Sequence, residues 1–208
     1  MARRPSVKPR KQATQERSRA TVQALVDATA RVLVREGYDK ASTNRVAQIA
    51  GVSIGSLYQY FPGKDALVRA VAQQHGQELA RVARGSLQDV AGLPLAQGIG
   101  VLVAAALRAH RTDPRLHRVL AEEIPRVGAL KDVGAFDPEN YALFRDYLQA
   151  HRDEVRVVDL ELASFVCVTT IEALTHAAVL HPSDGLSSAS MDALVDEAAR
   201  LIAAYLMG

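Results

Sequence analysis

One cysteine, Cys167, and no tryptophan occur in the 208 residues. A single thiol excludes an internal disulfide framework and any multi-cysteine zinc site, and it suits a reducing compartment. Aromatics are sparse, four Phe and six Tyr, whereas apolar residues as a whole make up 49% of the chain. That is enough to bury a core, and the wealth of alanine and leucine favours helices over sheets. No apolar run follows the basic N-terminus MARRPSVKPRK, so it does not read as a secretory signal. No segment approaches the roughly 18 continuous apolar residues of a membrane span without a charged or strongly polar interruption. An all-α, cytoplasmic protein with no membrane attachment is expected. A Gly-rich phosphate loop, a nucleophile elbow and a placed acid pair are also lacking, so neither an enzyme nor a cofactor is expected.

What is present is a charge gradient. The net charge is +2, yet residues 1–64 hold twelve basic side chains against four acids, or +8, which leaves −6 on residues 65–208. A basic N-terminal third suits a polyanion, because neutralising phosphates releases counterions. Residues 1–17 read as a basic disordered arm.

Hydrophobic periodicity then gives helices. Val22, Leu25, Val26, Thr29, Val32 and Leu33 recur at three- and four-residue steps over Ser18–Glu36, and Gly37 supplies the stop. A second helix runs from a Thr43 cap to Ala50, with Val46, Ala47 and Ala50 inward and Gly51 ending it. Ser53 caps a third, to about Tyr60; Pro62-Gly63 breaks it before a longer linking helix, Lys64 to about Arg84. Two short helices joined by a tight Gly-containing turn, closed by a third, make a helix-turn-helix over residues 18–64.

The third helix needs Leu57, with part of Tyr58 or Phe61, to hold it to the bundle, and small polar side chains are left outward. A major groove admits one helix. Gly55 and Ser56 would let the backbone approach while Gln59 or Ser53 reach base edges, and Tyr58, Tyr60 and Lys64 carry donors suited to phosphates.

The stretch GYDKASTNRVAQIAGVSIGSLYQYFPGKDAL, Gly37–Leu67, resembles the DNA-binding domain of the TetR (tetracycline repressor) family. The likeness covers about Ala20–Val71 and rests on an ordered set: Gly37-Tyr38, Thr43, Val46-Ala47, Ala50-Gly51-Val52, Ser56-Leu57-Tyr58, Tyr60-Phe61 and Lys64 before an apolar helix. It implies phosphate contacts from Thr43, Tyr58, Tyr60 and Lys64, and base reading by Asn44, Ser53, Ile54, Gly55, Ser56 and Gln59. The family often has a further basic or polar residue where Ile54 and Gly55 stand, so base readout here would rest on few hydrogen bonds.

Residues 65–208 should then bind a ligand and dimerise. The stretch Gly85–Pro94 reads as a junction. Helices are expected over Leu95–Arg111, Pro114–Glu123, Pro138–Arg152, Val157–His181 and Ser190–Met207, with Asp113-Pro114 and Asp137-Pro138 each pairing a cap with a first-turn proline. Val157–His181 is apolar on nearly all sides, so a second subunit is expected to cover one face, with Ile171 or Leu174 toward it. This C-terminal helix pair resembles the family's four-helix dimer interface.

Candidate ligand-pocket residues are Phe136, Tyr141, Phe144, Tyr147, Phe165, Thr169, Thr170, Glu172 and His176, apolar walls with a few polar groups. His110 and His117 with Glu122 and Glu123 lack the spacing of a helical metal face, so no metal is expected and solvated helix charges explain them. Cys167 reads as inert packing. Three readings stay open: a dimeric repressor released from inverted DNA half-sites by a small, largely apolar effector; a dimeric DNA-binding regulator with no inducer; and a helical enzyme. A cavity would separate the first two.

Overall fold

A computed structural model describes residues 16–124, 130, 138–180 and 188–208. The expected basic arm, except for Glu16 and Arg17, lies outside the described residues, as does Phe136. Among the described residues every regular element is helical: α1 Glu16–Lys40, α2 Thr43–Ala50, α3 Ile54–Tyr60, α4 Lys64–Val90, α5 Leu95–His110, α6 Pro114–Arg118, a π-helical turn Val119–Glu123, α7 Pro138–Ala150, α8 Leu160–Leu180 and α9 Ser188–Met207. The expected helix to Glu123 is thus interrupted by a π turn, the signature of one extra residue in a helix. α4 runs unbroken through Gly85, past the expected end at Arg84 and into the stretch read as a junction.

The described residues form two compact units, Met1–Gly76 with Arg115–Ala135, and Gln77–Pro114 with Phe136–Gly208. α4 contributes to both.

In the first unit, Leu25, Val32 and Leu33 of α1, Val46 of α2, Leu57 of α3 and Leu67 and Val71 of α4 make one core, which Leu120, Ile124 and Leu130 complete. Burial of each large side chain is worth about 1.5–3 kcal/mol against exposure. Gly37 (φ 74°) breaks α1 near its end. The cap of α2 is Ser42 rather than Thr43: its Oγ accepts from the Arg45 N–H at 3.2 Å, and Thr43 is already helical. Gly51 ends α2 in the left-handed region (φ 68°) and donates its N–H to the Ala47 and Gln48 carbonyls. A side chain with a Cβ would strain there.

In the second unit α5 packs on α8 and α9, and α7 on α8. Leu95, Ile99, Leu148, Ala163, Cys167, Ile202 and Leu206 are its sealed centre. Burial pushes the Cys167 thiol up to about 12, so it is packing, as expected. Pro94 gives α5 no side-chain cap; instead the Glu154 carboxylate accepts from the Leu95 N–H at 3.0 and 3.2 Å, an anion at a helix N-terminus. Further along α5, a Cβ on Gly98 would lie 2.1 Å from the Tyr147 hydroxyl. That hydroxyl is buried with no hydrogen-bond partner among the described residues, and burial, then the Glu154 charge, pushes its pKa up to about 12. α8 is, among the described residues, the one helix long and apolar enough to cross a membrane. Ala163, Ser164, Cys167, Val168, Ile171, Thr175 and Ala178 of it are instead buried within this unit.

Candidate nucleic-acid interface and ligand cavity

The first unit turns α3 so that its two sides differ sharply. Leu57, Tyr60 and the following Phe61 point into the core, while Ser53, Ile54, Gly55, Tyr58 and Gln59 are exposed. The local cause is capping. Ser53 Oγ accepts from the Ser56 N–H at 3.0 Å and the Phe61 N–H closes on the Leu57 carbonyl at 2.9 Å, which starts and stops a seven-residue helix too short to be stable alone. Asn44 is exposed at the start of α2, and next to it the Thr43 and Tyr58 hydroxyls lie 3.1 Å apart, tying α2 to α3. Ser56 is half-buried, with its Oγ 2.9 Å from that of Ser53.

Two residues expected to face phosphates stand differently. Tyr60 is only 8% exposed and belongs to the core cluster, because the register that turns Leu57 inward also turns Tyr60 inward, three residues on. Lys64 begins α4 half-buried: its ammonium donates to the Tyr38 carbonyl at 3.0 Å and lies 3.8 Å from the Tyr38 ring centroid. The Tyr38 hydroxyl in turn donates to Asp65 at 2.6 Å; burial first, then Asp65, raises the tyrosine pKa far above its ordinary value. This knot pins the end of α1 to the start of α4. Two of the three Lys64 protons still have room for another acceptor.

A cleft opens within the second unit, with about 690 Å³ of empty space between the side chains counted out to its mouth. α4 supplies Leu79, Val82 and Leu87, α5 Leu102 and Ala106, and α7 and α8 Leu143, Phe144, Val168 and Ile171. The polar lining is Ser86, His110, Asn140 and Glu172. Of the pocket residues expected from sequence, Phe144 and Glu172 line it. Tyr141 stacks on Phe165 with ring centroids 5.8 Å apart, and Phe165 itself is 54% exposed. Tyr147 packs under Gly98; Thr169, Thr170 and His176 are half-buried off the lining. The α4 and α5 walls were missed, since which helices enclose a common space is set by tertiary packing.

At one end of the cleft His110, expected on a solvated face, meets Glu172 and His176, both expected in the pocket. His110 is 2% exposed, and His117, in the first unit, 4%. His110 Nε2 lies 3.0 Å from a Glu172 oxygen, and His176 Nε2 lies 3.5 Å from the same oxygen. Burial alone would lower the His110 pKa; the Glu172 contact outweighs it and raises it. At His176 burial wins, and the pKa falls despite Glu172. The signal available in sequence was Glu172 and His176 at i,i+4, one helical face of α8.

Residues 25–71 match the family described as bacterial regulatory proteins, tetR family, and residues 94–206 match the tetracyclin repressor-like C-terminal domain. The chain belongs to the TetR family. Among curated TetR-family relatives, it is 30% identical over 121 residues to the HTH-type transcriptional repressor KstR of Mycobacterium tuberculosis, spanning 58% of this chain and 52% of that one. It is 26% identical over 116 residues to the nucleoid occlusion factor SlmA of Haemophilus ducreyi, 56% of this chain and 55% of that one. The chain thus spans little more than half the length of these relatives. A TetR-family crystal structure from Mesorhizobium loti superposes with a TM-score of 0.78 at 17% identity, covering 93% of this chain and 100% of that one; it shows the shared fold. The family is one of bacterial regulatory proteins, and the resemblance over Gly37–Leu67 is to its DNA-binding domain.

Large apolar side chains remain on the surface of the TetR-type C-terminal unit. Leu162 and Phe165 of α8 are 56% and 54% exposed, and Leu201 of α9 is 58% exposed, with Tyr205 and Met207 beside it in sequence. Ile171, expected toward a partner, is buried in the chain's own core and lines the cleft, and Leu174 is half-buried. The uncovered face lies one to two turns nearer the start of α8.

Proposed function

We propose that this chain is a dimeric repressor whose two α3 helices read inverted DNA half-sites and which a small, largely apolar molecule in the cleft releases. The carrying observation is the two-sidedness of α3: Leu57, Tyr60 and Phe61 anchor it, and Ser53, Ile54, Gly55 and Gln59 stand outward with no structural task in the core. Asn44, Ser53, Ile54, Gly55, Ser56 and Gln59 read bases; Thr43, Tyr58 and Lys64 contact phosphates. Tyr60 acts from beneath, holding Tyr58 and Gln59 at the surface. The exposed Leu162, Phe165 and Leu201 are the surface a second copy covers, and two reading helices about 34–36 Å apart then demand inverted half-sites. α4 carries both Lys64 and the cleft residues Leu79, Val82 and Leu87, so a ligand that displaces its second half has a path to the first.

Selection from random duplexes is the test, followed by titration of the selected operator with compounds that raise the thermal midpoint. An inverted repeat and a ligand that weakens operator binding are expected, with operator weakening the ligand by the same factor, typically about 5- to 150-fold. A stabilising compound with no effect on operator affinity would leave a dimeric regulator without an inducer. No enrichment of any duplex would remove the reading.

A further inference from the structure

The His110, Glu172 and His176 cluster is more than an ion pair beside a cleft. His110 Nδ1 faces the Ala106 carbonyl at 2.7 Å. A carbonyl only accepts, so Nδ1 carries a proton, and Nε2 is the nitrogen turned toward Glu172: it donates to that carboxylate when protonated and offers its lone pair to an ion that displaces the proton. A ring whose far nitrogen is fixed by a backbone carbonyl is the usual state of a metal-bound histidine. Glu172 and His176 are one turn apart on α8, and their side chains converge on the same point from the facing helix.

The distances fit. A tetrahedral ion with N and O ligands at about 2.0–2.2 Å places its ligand atoms about 3.3–3.6 Å apart. Here the shared Glu172 oxygen lies 3.0 and 3.5 Å from the two histidine nitrogens, and the two rings have donor nitrogens within 4.8 Å of each other and centroids 5.1 Å apart. Glu172 has an 18% exposed side chain and His176 a 32% exposed one, so an entry path exists. His110 and Glu172 are also cleft lining, so the site borders the cavity.

We infer that His110, Glu172 and His176 form a site for a divalent first-row transition metal ion at the edge of the cleft. Two imidazoles and one carboxylate select such ions over Mg²⁺ or Ca²⁺, which prefer all-oxygen shells. The inference goes beyond the regulatory reading and does not depend on it, since the metal is detected by its own stoichiometry and spectrum.

The test uses the full chain, stripped with a chelator and titrated with Zn²⁺ and with Co²⁺. Expected are one ion per chain, a raised thermal midpoint, and for Co²⁺ the intense visible absorption of a four-coordinate N,O site. Even loss of an outer-shell partner weakens metal binding about 10- to 100-fold, so Glu172→Gln and His176→Gln should each weaken it at least about 100-fold. His176 is partly exposed, and its variant tests the site even if Glu172→Gln fails to fold. Binding of undiminished strength in a folded His176→Gln chain would overturn the inference as adventitious surface binding. So would the absence of saturable Zn²⁺ binding, or displacement of Zn²⁺ by equimolar Mg²⁺.

Discussion

Among the described glycines of the second unit Gly98 is the most crowded: a Cβ there would meet the Tyr147 hydroxyl at 2.1 Å. Two effects oppose each other in Gly98→Ala. Helix propensity gains about 1 kcal/mol, and overpacking costs about 1–3 kcal/mol. Because the hydroxyl is held against Gly98 by a buried ring, the clash should win, with a net loss of up to about 2 kcal/mol in denaturant unfolding. Tyr147→Phe removes a buried hydroxyl with no partner among the described residues and should be neutral or slightly stabilising. In the double variant the clash partner is gone, so the two changes should not add; a sum of the singles would show that the close contact is not what makes Gly98 necessary.

Lys64 gives a second single-residue test. Neutralising one phosphate contact should weaken binding to every sequence alike and make the slope of log affinity against log salt shallower by about one. Loss of the ammonium from the Tyr38 carbonyl and ring should also cost about 0.5–1 kcal/mol of stability. A Lys64→Ala chain whose salt slope equals that of the parent would take Lys64 out of the interface and leave it a structural tie.

At the scale of elements, Ser53 caps α3 and is also proposed to read bases, and the two roles can be separated. Ser53→Ala removes the acceptor for the Ser56 N–H and should cost about 1 kcal/mol. Ser53→Asp keeps an acceptor and suits the helix dipole, so stability should return, while its negative charge beside DNA should weaken operator binding further than alanine does. Equal operator affinities for the two variants would show that Ser53 acts only through the fold. The helices themselves were legible because each carries punctuation: Gly51, Ser53 and Pro62-Gly63 bound α2 and α3, and Asp113-Pro114 opens α6. What the sequence could not show was set by tertiary contacts. Ser42 outcompetes Thr43 as cap because Thr43 turns toward Tyr58, and Gly85 stays helical inside a longer packed helix. Tyr60 looked like a surface tyrosine until the register of Leu57 placed it in the core.

For the whole molecule, the uncovered apolar face is where the proposed dimer is tested. Phe165→Asp and Leu201→Asp change side chains that are more than half exposed, so each should give a folded monomer that has lost specific operator binding. Ile171→Asp should instead unfold the second unit, since an unpaired charge would enter its core. Sedimentation and circular dichroism distinguish these outcomes, and a Phe165→Asp dimer would place the interface elsewhere. The apolar character of α8 announced that something must cover it. Which of its residues the chain covers by itself followed only from the packing of α5, α7 and α9.

The reading unit is discontinuous: Leu116, Val119, Leu120, Ile124 and Leu130 sit in the same core as Leu25, Leu57 and Leu67. Time during synthesis is the consequence. When Lys64 leaves the ribosome, the helix-turn-helix lacks part of its own interior, and at about 5–20 residues per second residue 130 follows roughly three to thirteen seconds later. Through that interval α3 has its anchor residues but no sealed core beneath them. A nascent chain stalled before Ile124 should therefore be cut readily by protease within α1–α3, and one stalled well after Leu130 should resist. The helix-turn-helix unit is begun early and finished late.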